Sequence, residues 1–347
     1  MPTLLHRAGL TFYTYPVKNL RLISLVLLLA ALVAVQPRLS AQATSAQGLP
    51  TPIRLYNGPA PGAHGNGMRD IPLLYVLLPK KPVTSAAVLV IPGGAYNHVA
   101  IGQEGFQIGE WLRDQGMPAF VLDYRVAPEY HYPVEINDGM RAIRLIRANA
   151  QKWGIDPNRI GVWGSSAGGH LAATLGTHCN QPNPKTANPI DRLSCKPDFM
   201  ILAYPVISMH SSITNKETRL SLLGPHPSPT LVRDMSNELH VTPTTPPAFI
   251  FVTQRDPAVP VQNSLDFYSA LTRNHVPAEL HIFDYGIHGC GLCGSITPLR
   301  VWPSMLRQWL IDHTWLPASA PPAPAPQPNW PSWPPGFKGP GMPHKEK

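Results

Sequence analysis

Short apolar runs alternate with amphipathic stretches along most of this chain, regularly enough to predict its elements. Ile71–Leu78 reads as a strand, stopped by Pro79-Lys80-Lys81-Pro82. Ala86–Ile91 is continuously apolar, the pattern of a strand buried on both faces, and Ala119–Leu122 and Ile160–Trp163 repeat it. Further strands are predicted over Phe199–Ala203, Phe249–Thr253 and Glu279–Phe283. Between them, helical spacing is read over Gly105–Gln115, Ile136–Trp153, Leu171–Leu175, Val261–Arg273 and Leu299–His313. Strands alternating with helices call for a parallel sheet covered on both faces, so the predicted class is α/β.

The two ends break this pattern. Lys18 and Arg21 precede an apolar run, Leu22 to Val35, and Ala41-Gln42-Ala43 offers a small-x-small cleavage site. Residues 1–43 therefore read as an export signal, since the run falls short of the roughly 20 residues a spanning helix needs; an uncleaved anchor is the alternative. Residues 44–70, rich in Pro, Gly, Ala and Asn, are expected to form an extended lead-in to a domain over 71–316. Residues 317–347 are Pro/Ala-rich, with Trp330 and Trp333 among the prolines, and read as a disordered tail. A tail that binds wall polymers or a partner is the alternative there. Ser208–Pro247 is a Ser/Thr/Pro-punctuated insertion with short helical pieces.

Composition adds little. The chain has 347 residues, enough for one large domain, and its net charge of +8 is partly carried by the two ends. No basic run with interleaved aromatics occurs, so nucleic acid is not expected as a partner. Of the four cysteines, Cys179 and Cys195 flank a loop that a bridge would close. Cys290 and Cys293 form a C-x-x-C that reads as a local disulfide or as two free thiols. With no second pair at matching spacing, it does not make a zinc site.

The chemistry centres on Gly164-Ser165-Ser166-Ala167-Gly168, between a predicted strand and a predicted helix. This G-x-S-x-G context is that of a nucleophile elbow, where a serine sits on a strained turn and small neighbours prevent collision. A serine hydroxyl needs a base, and the base needs an orienting acid. Asp256 follows the strand Phe249–Thr253 and His288 follows Glu279–Phe283, both where strand ends converge on the elbow. Asp284 is a rival acid, four residues from His288. Pro92-Gly93-Gly94-Ala95-Tyr96 ends another buried strand, so the N–H groups of Gly94 and Ala167 are the candidate oxyanion donors, with Gly93 as neighbour. Glu104 and Arg125 read as residues at the pocket rim or packed beneath it, and His170 and His178 as surface or packing residues.

Together these residues resemble the alpha/beta-hydrolase superfamily, and within it the secreted esterase/lipase-type group of acetyl xylan esterases and feruloyl esterases. The resemblance lies in Ile91–Tyr96, Asp123–Pro128, Gly161–Ala172, Val259–Leu265 and Gly286–Gly289. It implies an alpha/beta-hydrolase fold with a mostly parallel sheet, and serine-dependent hydrolysis of acetyl or feruloyl esters on plant polysaccharide or a smaller ester. No metal and no organic cofactor is expected. The protein would be secreted or periplasmic, with no membrane association once the leader is cleaved. Two departures stand out: Arg255 occupies the place where such proteins often carry the first of two aspartates, and Cys290 stands where an aromatic residue usually follows the histidine. An exported peptidase or amidase of the prolyl-oligopeptidase kind, and a non-catalytic wall-binding protein, are the competing readings.

Overall fold

The computed structural model describes residues 50, 52–179 and 186–326. The leader expected over 1–43, the tail from 327 with both its tryptophans, and residues 180–185 lie outside the described residues.

The described strands are β1 (Pro52–Arg54), β2 (Leu73–Leu77), β3 (Ala87–Ile91), β4 (Ala119–Asp123), β5 (Ile160–Ser165), β6 (Met200–Ala203), β7 (Ala248–Thr253) and β8 (Ala278–Phe283). They form one sheet in the order β1-β2-β4-β3-β5-β6-β7-β8. The pairs β1–β2 and β2–β4 are antiparallel and all others parallel. The helices are α1 (Gln107–Asp114), α2 (Val134–Ala148), α3 (Ala150–Trp153), α4 (Ala167–His178), α5 (Lys216–Leu223), α6 (Pro229–Asp234), α7 (Gln262–Arg273) and α8 (Trp302–Asp312). This is the alpha/beta-hydrolase fold.

The central strands are apolar throughout because both faces are covered; every residue of β3, β4, β5 and β7 is buried. Trp163 of β5 meets Trp111 of α1 and Trp302 of α8 edge-on, at ring separations of 5.9 and 5.5 Å. Trp302 also stacks flat on Phe251 of β7. Each such side chain stabilises the fold by about 1.5–3 kcal/mol relative to exposure. On α2, Gly139 lets Leu171 of α4 approach, for a Cβ there would lie 3.0 Å from the leucine methyl.

Three departures from the pattern-based elements have local causes. The helix expected over Ile136–Trp153 is two helices. Asn149 breaks it by turning its side-chain amide back onto the Leu145 carbonyl, and Gly154 ends the second in a left-handed conformation (φ 68°). The helix expected from Gly105 is preceded by a π-helical turn, Ile101–Phe106, which places Glu104 among buried residues. The ends are less loose than expected. Pro52–Arg54 of the lead-in pairs with β2 as an edge strand. At the start of the tail, Ala320 is buried and its carbonyl accepts a hydrogen bond from Arg307 of α8.

Candidate active site

The parallel strands β3, β5, β7 and β8 run the same way, so the loops after them meet at one edge of the sheet. Ser166 follows β5 and has φ 53° and ψ −121°, a conformation L-residues rarely adopt. The surrounding backbone enforces it. A Cβ on Gly164 would overlap the Gly168 carbonyl oxygen, and one on Gly168 would overlap the carbonyls of Ile91 and Pro92. The glycines are required by this close approach of the elbow to β3 and to its own helix. Ala167 is then the first residue of α4, where backbone N–H groups have no partner within the helix.

The structure brings the predicted trio together. His288 Nε2 lies 2.7 Å from Ser166 Oγ, and His288 Nδ1 lies 2.8 Å from Asp256 Oδ2. Asp256 is fully buried as a side chain. Its other oxygen accepts from the N–H groups of Ala258 (2.8 Å) and Val259 (2.9 Å), so both oxygens are committed. With a carboxylate oxygen accepting at Nδ1, that nitrogen is the N–H donor and the Nε2 lone pair faces the serine hydroxyl. The rival Asp284 is drawn away: it pairs with Arg255 at 3.1 Å, both side chains about two-thirds exposed. The residue standing in place of a first aspartate thus occupies the competitor.

The two oxyanion-loop glycines separate by hydrogen bonding. The Gly93 N–H donates to Glu104 Oε2 (2.8 Å), so it is taken, which leaves the Gly94 and Ala167 N–H groups as the candidate donors. Gly93 is also tight against the nucleophile, for a Cβ there would lie 2.8 Å from Ser166 Cβ. Two bonds brace this loop from below. Tyr124 donates to the Pro92 carbonyl (2.8 Å), and Tyr96 lies 2.9 Å from His170 Nδ1. His170 Nε2 donates in turn to the Met235 carbonyl (2.8 Å), which makes Nδ1 the acceptor for the tyrosine hydroxyl. Burial lowers His170 to about 4, so this wholly buried ring is neutral. It is a packing residue, as expected, and not a surface one.

Glu104 is the residue that spacing alone undersells. It is buried. Its Oε1 accepts from the Tyr204 hydroxyl (2.9 Å), which itself accepts from the Gly291 N–H (2.8 Å). Tyr204 packs edge-on to His288 at 5.1 Å. Desolvation raises the Glu104 pKa, opposed by the neighbouring His288 and the two hydrogen bonds. One carboxylate therefore ties the oxyanion loop to the loop carrying the histidine. The sequence signal was slight, one acidic residue in Gly102-Gln103-Glu104-Gly105. Arg125 lies apart from the serine and forms a buried two-bond pair with Asp138, at 2.8 and 2.7 Å. Both cysteine pairs are disulfide-bonded, Cys179–Cys195 and Cys290–Cys293. The second settles the open choice between a local bridge and free thiols and lies two residues beyond His288.

The BD-FAE family model matches residues 74–271, a stretch that includes Ser166 and Asp256 and ends before His288. The acetylxylan esterase of Xylanibacter ruminicola is 34% identical over 218 residues, which is 62% of this chain and 42% of that protein. Endo-1,4-beta-xylanase B of Butyrivibrio fibrisolvens is 36% identical over 63% of this chain and 34% of its own length. The chain thus matches less than half the length of these two curated relatives. Among solved structures, the acetyl ester-xyloside bifunctional hydrolase of Caldicellulosiruptor lactoaceticus is 38% identical with a TM-score of 0.72, covering 77% of this chain and 97% of that one.

Proposed function

This chain belongs to the BD-FAE family, and we propose from that premise that it is an exported serine carboxylic-ester hydrolase that removes acetyl groups from xylan or its fragments. The observation that carries the chemistry is the unbroken line from Ser166 Oγ through the imidazole of His288 to Asp256, with each gap under 3 Å. In this reading His288 Nε2 accepts the serine proton as Oγ attacks the ester carbonyl. Asp256 holds the ring in the required tautomer and stabilises the imidazolium. The Gly94 and Ala167 N–H groups receive the oxyanion. Collapse breaks the ester C–O bond, and His288 gives the proton to the departing sugar oxygen, which leaves as a hydroxyl. Water, deprotonated by the same histidine, then attacks the acyl-serine; the acyl C–Oγ bond breaks, His288 returns the proton to Ser166 Oγ, and the acid is released.

The acetyl preference rests on relatives named for acetylxylan and acetyl ester-xyloside hydrolysis. Export is supported by the leader pattern and by two disulfides, which persist in oxidising compartments. No described helix is long and apolar enough to cross a membrane.

The test is acid release from acetylated xylan and from methyl ferulate, run beside Ser166→Ala. Acetate release falling by about 10⁴–10⁶-fold in the variant, with the melting temperature kept, is the expected result. Near-normal hydrolysis by the variant would move the nucleophile elsewhere. Ferulate release without acetate release would replace the substrate while keeping the mechanism.

A further inference from the structure

On the far side of α4 from the serine, three side chains converge that the reaction does not use. His178 is the last residue of α4, Asp234 the last of α6, and His240 follows a short 3-10 turn, Asn237–Leu239. One ligand atom from each lies within 4.8 Å of the others. His178 Nε2 and Asp234 Oδ1 are 3.9 Å apart, and the two imidazole rings are 4.5 Å apart.

The remaining hydrogen bonds show which nitrogens are free. Thr177 Oγ1 lies 2.8 Å from His178 Nδ1 and gives its own proton to a neighbouring acceptor, the Ala173 carbonyl (2.8 Å). His178 Nδ1 is therefore the protonated nitrogen, and the lone pair is on Nε2. That atom is buried and faces Asp234, with no hydrogen bond of ordinary length. In His240 the Nε2–H donates to the Arg233 carbonyl (3.0 Å), which leaves the lone pair on Nδ1. Two imidazoles, each fixed by a hydrogen bond through its far nitrogen, and one carboxylate make up a common ligand set for zinc.

We propose that His178, Asp234 and His240 bind a divalent transition-metal ion of the zinc class, with water in the fourth position. A tetrahedral ion with bonds of about 2.0–2.1 Å sets its ligand atoms about 3.3 Å apart. The Asp234 carboxylate, nearly half exposed, has room to swing toward the two imidazoles. The site is structural. Twelve residues of helix separate Ser166 from His178, about 18 Å of axial rise. The ion would join the end of the elbow helix to the insertion over residues 208–247, next to the bridged Cys179.

The experiment uses chelator-stripped full chain carrying no histidine tag, titrated with zinc chloride by calorimetry and by thermal melting. One zinc per chain is expected, with a rise of a few degrees in melting temperature. His178→Gln and His240→Gln should each lower the affinity at least tenfold while melting normally without metal. Hydrolysis of a small ester well below the melting temperature should be unchanged by chelation. A readout that needs no variant is carbethoxylation mapped by mass spectrometry, in which zinc should shield His240 of the wild-type protein. Absence of stoichiometric binding, wild-type affinity in both variants, or shielding confined to other histidines would each overturn the site.

Discussion

The two halves of the proposed catalytic apparatus are held in different ways. On the nucleophile side, Ser166 and the Gly93-Gly94 loop sit at the ends of fully buried central strands, and backbone against backbone fixes them. On the histidine side, His288 hangs on a loop after β8, a strand only half-buried at the edge of the described sheet. Its position is set by side chains instead: the Asp256 carboxylate, the Tyr204 ring and, through Tyr204 and Gly291, Glu104. Backbone packing tolerates no change in volume. A side-chain network yields by degrees.

The comparison is broken most forcefully at Asp256. Asp256→Asn should lower kcat by about 10⁴-fold while the far-UV circular dichroism and melting curve stay close to wild type, because the amide disturbs the tautomer and not the fold. A collapsed fold in that variant would show that the histidine side is as rigidly coupled as the nucleophile side. Gly168→Ala tests the opposite half. Its added methyl meets two β3-loop carbonyls that cannot move independently, so unfolding free energy should drop by about 3 kcal/mol or more, measured by urea titration. A soluble Gly168→Ala protein of normal stability would contradict the packing described.

Glu104→Gln sharpens the contrast, since it touches both halves. The amide keeps one acceptor for Tyr204 or for Gly93, and not for both. About a tenfold loss in kcat with little change in KM is expected, equivalent to one lost hydrogen bond of about 1.4 kcal/mol. A change confined to KM would make Glu104 a binding residue rather than a positioning one.

The last effect is one of pH. Asp123, at the end of β4, is buried, and desolvation raises it from 3.8 to about 7. The folded state therefore keeps a proton that the unfolded chain releases, and the stability this confers is complete below about pH 4 and lost as pH rises to about 7. Asp123→Asn should flatten the decline in melting temperature over that window. Glu135, raised by burial from 4.5 to about 8, leaves a residual slope across the same window and up to about pH 8. An unchanged profile in the Asn variant would mean that Asp123 ionises as freely as in solution.

Much of the nucleophile half was legible in the sequence, because each of its requirements is local. An apolar run, a glycine on either side of a serine and small residues beyond it occupy adjacent positions. Asp256 and His288 were legible for a related reason: each follows a recognisable strand, and strand ends converge in a parallel sheet. The role of Glu104 was not, since its partners lie 11 and 100 residues away and meet it only in the folded chain. The short strand at Pro52–Arg54 was hidden by its prolines, and the docking of Ala320 by a composition that offers a core almost nothing. His170, buried between Tyr96 and Met235, could not be told from other histidines until the insertion was seen to cover it.

The edge position of β8 has a consequence for how the molecule ages under heat. Local opening begins where strands have one neighbour and little cover, well below the temperature of global unfolding. Fraying of β8 releases the loop that holds the imidazole while the central strands remain paired. Activity becomes the early casualty and secondary structure the late one, so a heat-treated sample can look folded by spectroscopy and be silent toward ester. On cooling, the strand re-pairs from a largely intact template and function returns faster than it would from the unfolded chain.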